Sequence, residues 1–201
     1  MLKKSAIIVV LILLADQILK IWIKTTFTLG QELPVFGNWF ILHFTENPGM
    51  AFGMQFGGNA GKLALSILRI VAVALLVWYI WYLNKKKVKF GVIFSFSLIL
   101  AGAIGNIIDS VFYGVIFSES TYYQTAVMFP PEGGYSSLLH GKVVDMLYFP
   151  IIDTFFPDWM PFIGGRPFRF FQPVFNIADS AVTIGIFYLI LFERSFFKQS
   201  K

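Results

Sequence analysis

The sequence predicts a membrane protein, mainly α-helical, with four transmembrane helices, a small extracytoplasmic β-sheet and an interfacial amphipathic segment. Three observations predict it. Of 201 residues, 57% are hydrophobic and 13% charged, with a mean hydropathy of +0.71. A soluble domain is roughly half apolar and a quarter charged. Four apolar segments, at about 5–23, 63–83, 90–108 and 174–192, come near the ~20 residues that a helix rising 1.5 Å per residue needs to cross a bilayer core. The basic residues collect at alternate ends of these segments. Lys3 and Lys4 precede the first, Lys85, Lys86, Lys87 and Lys89 separate the second from the third, and Arg194, Lys198 and Lys201 follow the fourth. This pattern places both termini in the cytoplasm and loops 25–62 and 109–173 outside. The chain reads as a single integral membrane domain, 1–201.

Composition also excludes function classes. The net charge of +5 is not gathered into one face or stripe of the kind nucleic acid requires. Absence of cysteine removes disulfides, thiolate metal sites and a cysteine nucleophile.

In the first segment, Lys3 and Lys4 ahead of an apolar run suggest a signal peptide, but Asp16, Gln17 and Lys20 interrupt the run and no small-x-small cleavage site follows. The helix is therefore expected to be retained. Asp16 and Lys20, acid first and four apart, form a favourable helical pair. The first outer loop contains Pro34–Phe44, β-branched and aromatic around Gly37-Asn38, which predicts a hairpin. Asn47-Pro48-Gly49 then imposes a turn.

The third segment ends with Asn106 and Asp109, and its Ala101 and Gly105 form a small-xxx-small pair that admits a neighbouring helix. Two unlike halves make up the second outer loop. Residues 117–140 are turn-rich and are expected to form a surface extension. Residues 146–171 are dense in aromatics but contain Pro150, Pro157, Pro161 and Pro167, with Asp153, Asp158, Arg166 and Arg169. Those residues exclude a fifth spanning helix and predict a segment lying along the outer leaflet.

The fourth segment places Asn176, Asp179 and Thr183 at i, i+3 and i+7, on one helical face. A carboxylate at membrane depth is a functional-site hypothesis by default, and Asn would hydrogen-bond there without the ionisation cost. The proposed partner for Asp179 is Asp145. Rival chemistries lack their residues: no His-Glu-x-x-His is present, His43 and His140 are far apart, and Ser136 lies in a polar turn. Two nearby aspartates share a proton, so one serves as base and the other as acid. Peptide hydrolysis by such a pair needs neither metal nor covalent intermediate, and no cofactor is expected.

Taken together, Asp16-Gln17-Ile18-Leu19-Lys20, Asn47-Pro48-Gly49-Met50-Ala51-Phe52, Gly105-Asn106-Ile107-Ile108-Asp109, Val143-Val144-Asp145 and Phe175-Asn176-Ile177-Ala178-Asp179-Ser180 resemble, in order, the motifs of the bacterial lipoprotein signal peptidases (signal peptidase II). The resemblance covers most of the chain. It implies an aspartic endopeptidase of the bacterial inner membrane that removes signal peptides from diacylglyceryl-modified prolipoproteins, cutting before the lipidated cysteine near the extracytoplasmic surface. Asp145 and Asp179 match the family's catalytic pair. Asp16, Lys20, Asn47, Gly49, Asn106, Asp109 and Asn176 align with positions that bind substrate or shape and support the site. The outer sheet and the aromatic segment resemble the family's cradle and flap. Expected partners are the lipid-modified prolipoprotein and membrane lipid, with no nucleic acid, and a monomer is expected.

Two departures stand out. Ser110 occupies the position where the family usually has arginine, leaving Arg166 and Arg169 as candidates to supply the guanidinium. Residues 117–140 are inserted where the family usually has a short link. The alternative class is a transporter or channel using the same carboxylates as a proton or cation relay, but beyond Thr183 the fourth segment is apolar and carries no relay.

Overall fold

Hydropathy and helix period together select the scaffold, a bundle of apolar helices with a small antiparallel sheet at one end. The computed structural model describes residues 1–48, 58–170 and 173–198. Helices α1 (Leu2–Thr26), α2 (Gly58–Lys85) and α3 (Phe90–Ile108) are long and apolar enough to cross a membrane. They outrun the sequence boundaries at several ends, because helical hydrogen bonding continues through Lys3, Thr25 and Lys62, where the apolar pattern has already stopped. Their outward faces carry Leu11, Leu14 and Ile18 on α1 and Leu68, Leu75 and Trp78 on α2, all exposed. Apolar surface so continuous suits hydrocarbon rather than water.

Helix α3 is central, packing against α1, α2 and the last apolar helix. Gly102 makes the close approach possible, since a Cβ there would lie 2.1 Å from the Ala178 carbonyl oxygen. The small-residue contact is thus Gly102 with Gly105, while Ala101 turns into the cluster of Val9, Ile80, Ile93 and Leu100. Beyond Ile108 the chain runs through a π-helical turn, Asp109–Tyr113, and one final turn, α4 (Gly114–Ile116). The wider turn, a feature common at functional sites, buries Asp109, Ser110 and Tyr113 together.

The hairpin expected around Gly37-Asn38 forms, with β1 (Glu32–Phe36) antiparallel to β2 (Phe40–Asn47) and Glu32 opposite His43. Strand β3 (Val143–Tyr148) pairs with β2, placing Thr45 opposite Asp145. Within the aromatic segment the chain forms a second antiparallel hairpin, β4 (Ile152–Phe155) with β5 (Pro167–Phe170). Proline at a strand start costs no ladder bond, whereas the same prolines stop a helix.

The fourth apolar segment differs from expectation. Val174–Phe175 forms β6, which closes the sheet beside β3 in the order β1-β2-β3-β6. Helix α5 spans only Ile177–Phe192, 16 residues, and the short α6 (Arg194–Lys198) follows. Asn176 is extended and caps α5 instead of lying within it, and Thr183 is exposed, off the polar face.

Residues 117–140 lie at the surface but pack down onto the core rather than extending from it. Phe117 and Ala126 are 1% and 3% exposed and share a core cluster with Ile23, Phe27, Phe44, Val144 and Met146. The segment bonds back to the end of α1, where Ala126 N donates to the Lys24 carbonyl. It also returns to the π turn through Gly141, whose N–H bonds the Ser110 carbonyl. A Cβ at Gly141 would sit 2.1 Å from the Asp109 carbonyl oxygen.

Candidate active site

Local capping chemistry places Asp179. It is the third residue of α5, and its N–H donates to the Asn176 side-chain oxygen at 2.9 Å, so the carboxylate stands at the helix N-terminus where negative charge is favoured. Asp145 is placed by the sheet. It sits mid-strand in β3 between Val144 and Met146, both 0% exposed, and is itself 5% exposed. Asp179 is only half-buried, which leaves the pair open on that side.

Two asparagines bridge the aspartates. Asn176 Nδ2 donates to Asp145 Oδ1 at 2.7 Å and to Asn106 Oδ1 at 3.1 Å, while Asn106 Nδ2 donates to Asp179 Oδ1 at 2.7 Å. Burial pushes the Asp145 carboxyl up to about 7, and the nearby charge of Asp179 adds to the rise against the opposing Asn176 hydrogen bond. A carboxyl that holds its proton near neutrality beside a second carboxylate can act as acid to the other's base.

A buried charge network lies one step behind. Lys20 spends its three donors on Asp16 (3.0 Å), Asp109 (2.8 Å) and Asn106 Oδ1 (3.0 Å). Asp16 Oδ1 accepts from the Ala178 N–H at 2.9 Å, tying α1 to the first turn of α5. Asp109 Oδ2 accepts from Val144 N at 3.2 Å, tying the π turn to β3. Gln17 Nε2 donates to Asp109 Oδ1 at 3.0 Å, and Tyr113 closes the ring by donating to Gln17 Oε1. Asp16, Lys20, Asp109 and Asn176 are each at most 1% exposed, so they stand beneath the aspartates and hold them.

Asn47 ends β2 opposite Val143, two residues along from the Asp145 pairing. Gly49 and the rest of its motif to Phe52 lie outside the described residues. Of the two arginines expected near Ser110, the Arg169 side chain lies outside what the structure describes. Arg166 is exposed in the β4–β5 hairpin, and Arg69 Nη1 of α2 lies 3.5 Å from Ser110 Oγ. Arg69 was open to discovery from sequence as a cation in the middle of an apolar helix, a costly placement that marks function. Gln17 carried no comparable signal. Among the described residues, no group of three or more His, Cys, Asp or Glu side chains is arranged to hold a metal ion.

A family model described as signal peptidase (SPase) II matches residues 8–195. The lipoprotein signal peptidase of Porphyromonas gingivalis is 51% identical over 190 residues, which cover 94% of this chain and 82% of that protein. The lipoprotein signal peptidase of Amoebophilus asiaticus is 38% identical over 195 residues, 96% of this chain and 78% of that one. Two solved bacterial membrane enzyme structures, obtained by the in meso method, share the fold. One has a TM-score of 0.62 at 26% identity, covering 94% of this chain and 91% of its own; the other has 0.61 at 23%, covering 99% and 92%.

Proposed function

Since the chain belongs to the signal peptidase II family of aspartic-type lipoprotein signal peptidases, we propose that Asp145 and Asp179 are its catalytic pair. The observation that carries this is the bridge Asp145–Asn176–Asn106–Asp179, which links a carboxyl pushed up to about 7 to a half-buried one at a helix N-terminus. Asp179 takes a proton from water, which attacks the scissile carbonyl, and protonated Asp145 donates a hydrogen bond to the oxygen that gains charge. The roles exchange as the amine leaves. Asn106 and Asn176 orient the pair, and Asp16, Lys20 and Asp109 act through them as positioning residues. Asn47, beside the strand that carries Asp145, contacts the substrate together with Gly49.

The substrate is a diacylglyceryl-modified prolipoprotein, cut before its lipidated cysteine. In this reading α1, α2, α3 and α5 all cross the bacterial inner membrane, both termini are cytoplasmic, and the sheet faces the extracytoplasmic surface. The short α5 reaches across because β6 has already brought the chain into the headgroup layer. The β4–β5 hairpin, with Trp159 and Phe162 79% and 95% exposed, holds the lipid over a monomeric enzyme. No metal takes part.

The test is cleavage of a lipidated prolipoprotein by purified protein in detergent. Asp145→Asn and Asp179→Asn are each expected to lower kcat by several orders of magnitude, with folding retained and chelators without effect. Near-normal cleavage by either variant refutes the assignment.

A further inference from the structure

We propose that Arg69 is a positioning residue of this site, its guanidinium delivered by α2 across the π turn of α3 to hold the Asp179 carboxylate in its working place. The inference rests on the catalytic pair proposed above.

Cost is the first argument. Arg69 lies well inside an apolar helix whose other faces carry exposed leucine, valine and tryptophan, and a charge so placed is expensive unless something holds it. Direction is the second. Lys62, Ser66 and Arg69, at i, i+4 and i+7, share one face of α2. Lys62 Nζ donates to the His140 carbonyl at 2.6 Å and Ser66 Oγ to the Leu139 carbonyl at 2.9 Å. Both pin the segment that leads into β3 and Asp145. Arg69 continues the stripe inward to Ser110.

The third argument is what lies beyond Ser110. Its hydroxyl donates to the Asn106 carbonyl at 2.9 Å, and the Asn106 side chain is the one that donates to Asp179. Arg69 also interacts electrostatically with Asp179 itself. The charges around Asp179 therefore come from four elements: Arg69 on α2, Asp145 on β3, Lys20 and Asp16 on α1, and Asp109 in the π turn. Lys20 is already neutralised by two carboxylates, so among the described residues Arg69 is the further cation that acts on Asp179. Position 110 lies beside the Arg69 guanidinium, so an arginine there tests whether the group can be supplied from the other helix.

Arg69→Gln, Arg69→Lys, Arg69→Ala and the double variant Arg69→Ala with Ser110→Arg are assayed on lipidated prolipoprotein in detergent, with kcat, KM and thermal unfolding measured for each. Loss of one unit charge about 8–12 Å from Asp179, at an effective dielectric constant near 20, corresponds to roughly a 10- to 30-fold fall in kcat. That fall is expected for Arg69→Gln with KM within about twofold, alongside partial activity in Arg69→Lys and recovery of most of the Arg69→Ala loss in the double variant. Wild-type kcat in Arg69→Gln overturns the inference, as does a raised KM at unchanged kcat, which makes Arg69 a substrate contact. A kcat loss matched by lost thermal stability and not recovered by Ser110→Arg also overturns it, leaving only packing. If Asp145→Asn and Asp179→Asn are inactive while Arg69→Gln is normal, this inference alone fails; if they are active, the catalytic pair fails.

Discussion

Asp145 lies mid-strand between two fully buried neighbours, and there function and stability pull in opposite directions. Burial, then the charge of Asp179, raises its carboxyl to about 7, against an ordinary value near 3.9 when unfolded. A carboxyl raised in the folded state favours folding only while protonated, so stability falls as pH rises from about 4 through about 7. Asp145→Asn keeps the acceptor for Asn176 and cannot ionise. We expect it to raise the unfolding temperature by on the order of 2–4 °C at pH 8 and by only about a third as much at pH 5, although cleavage is lost. Thermal unfolding in detergent at the two pH values checks this, and an equal shift at both refutes it. Of the pair, Asp179 was readable in sequence because a carboxylate in an apolar run violates a local rule. Asp145 breaks no such rule in its own segment, and only the order of the motifs singled it out.

The segment 117–140 illustrates what single elements conceal. Its Ser, Gly and Pro content reads as exposed turns, yet it covers a buried ion pair at the end of α1. Lys24 Nζ meets Glu46 and donates to Ser120 Oγ at 2.9 Å, and Phe117 and Tyr135 place their rings about the ammonium, with centroids 5.4 and 5.0 Å away. Glu46 Oε2 makes no aligned hydrogen bond among the described residues; Lys142 Nζ, 3.2 Å away, supplies charge alone. Burial acts to raise the Glu46 carboxyl, but Lys24, with Ser120 and Lys142, outweighs it and holds the group below the usual glutamate range. The stability Glu46 contributes is therefore complete above that range and is lost as pH falls through the depressed value. Glu46→Gln, which strands Lys24, is expected to destabilise by roughly 3 kcal/mol at pH 7. The difference from wild type should narrow below about pH 4, as equilibrium or thermal unfolding at several pH values will show. A constant difference across that range sinks the account. The β4–β5 pairing was not legible for a related reason: its prolines and aromatics tell against a helix without specifying which strand pairs with which.

For the whole molecule, the alternation of lysines and arginines predicts an orientation that can be measured directly. The chain has no cysteine, so single substitutions give an unambiguous background. Glu132→Cys, exposed in the 117–140 segment, should react with a membrane-impermeant thiol reagent in intact cells, and Lys86→Cys, exposed between α2 and α3, should react only after permeabilisation. The opposite pattern reverses the topology. Membrane class, the apolar segments, the Gly37-Asn38 hairpin and the aspartate at the start of α5 were all determined by the sequence itself. Hydropathy, turn chemistry and helical spacing are properties of neighbouring residues. Tertiary structure alone decided that Asp145 sits in a strand and that the last apolar helix begins only after β6. It also decided that two asparagines join the carboxyls and that Arg69 reaches Ser110 from another helix. Those features depend on contacts between residues far apart in sequence, such as Asn176 with Asp145 and Arg69 with Ser110, where close packing and the pairing of buried charge select partners that no local pattern encodes.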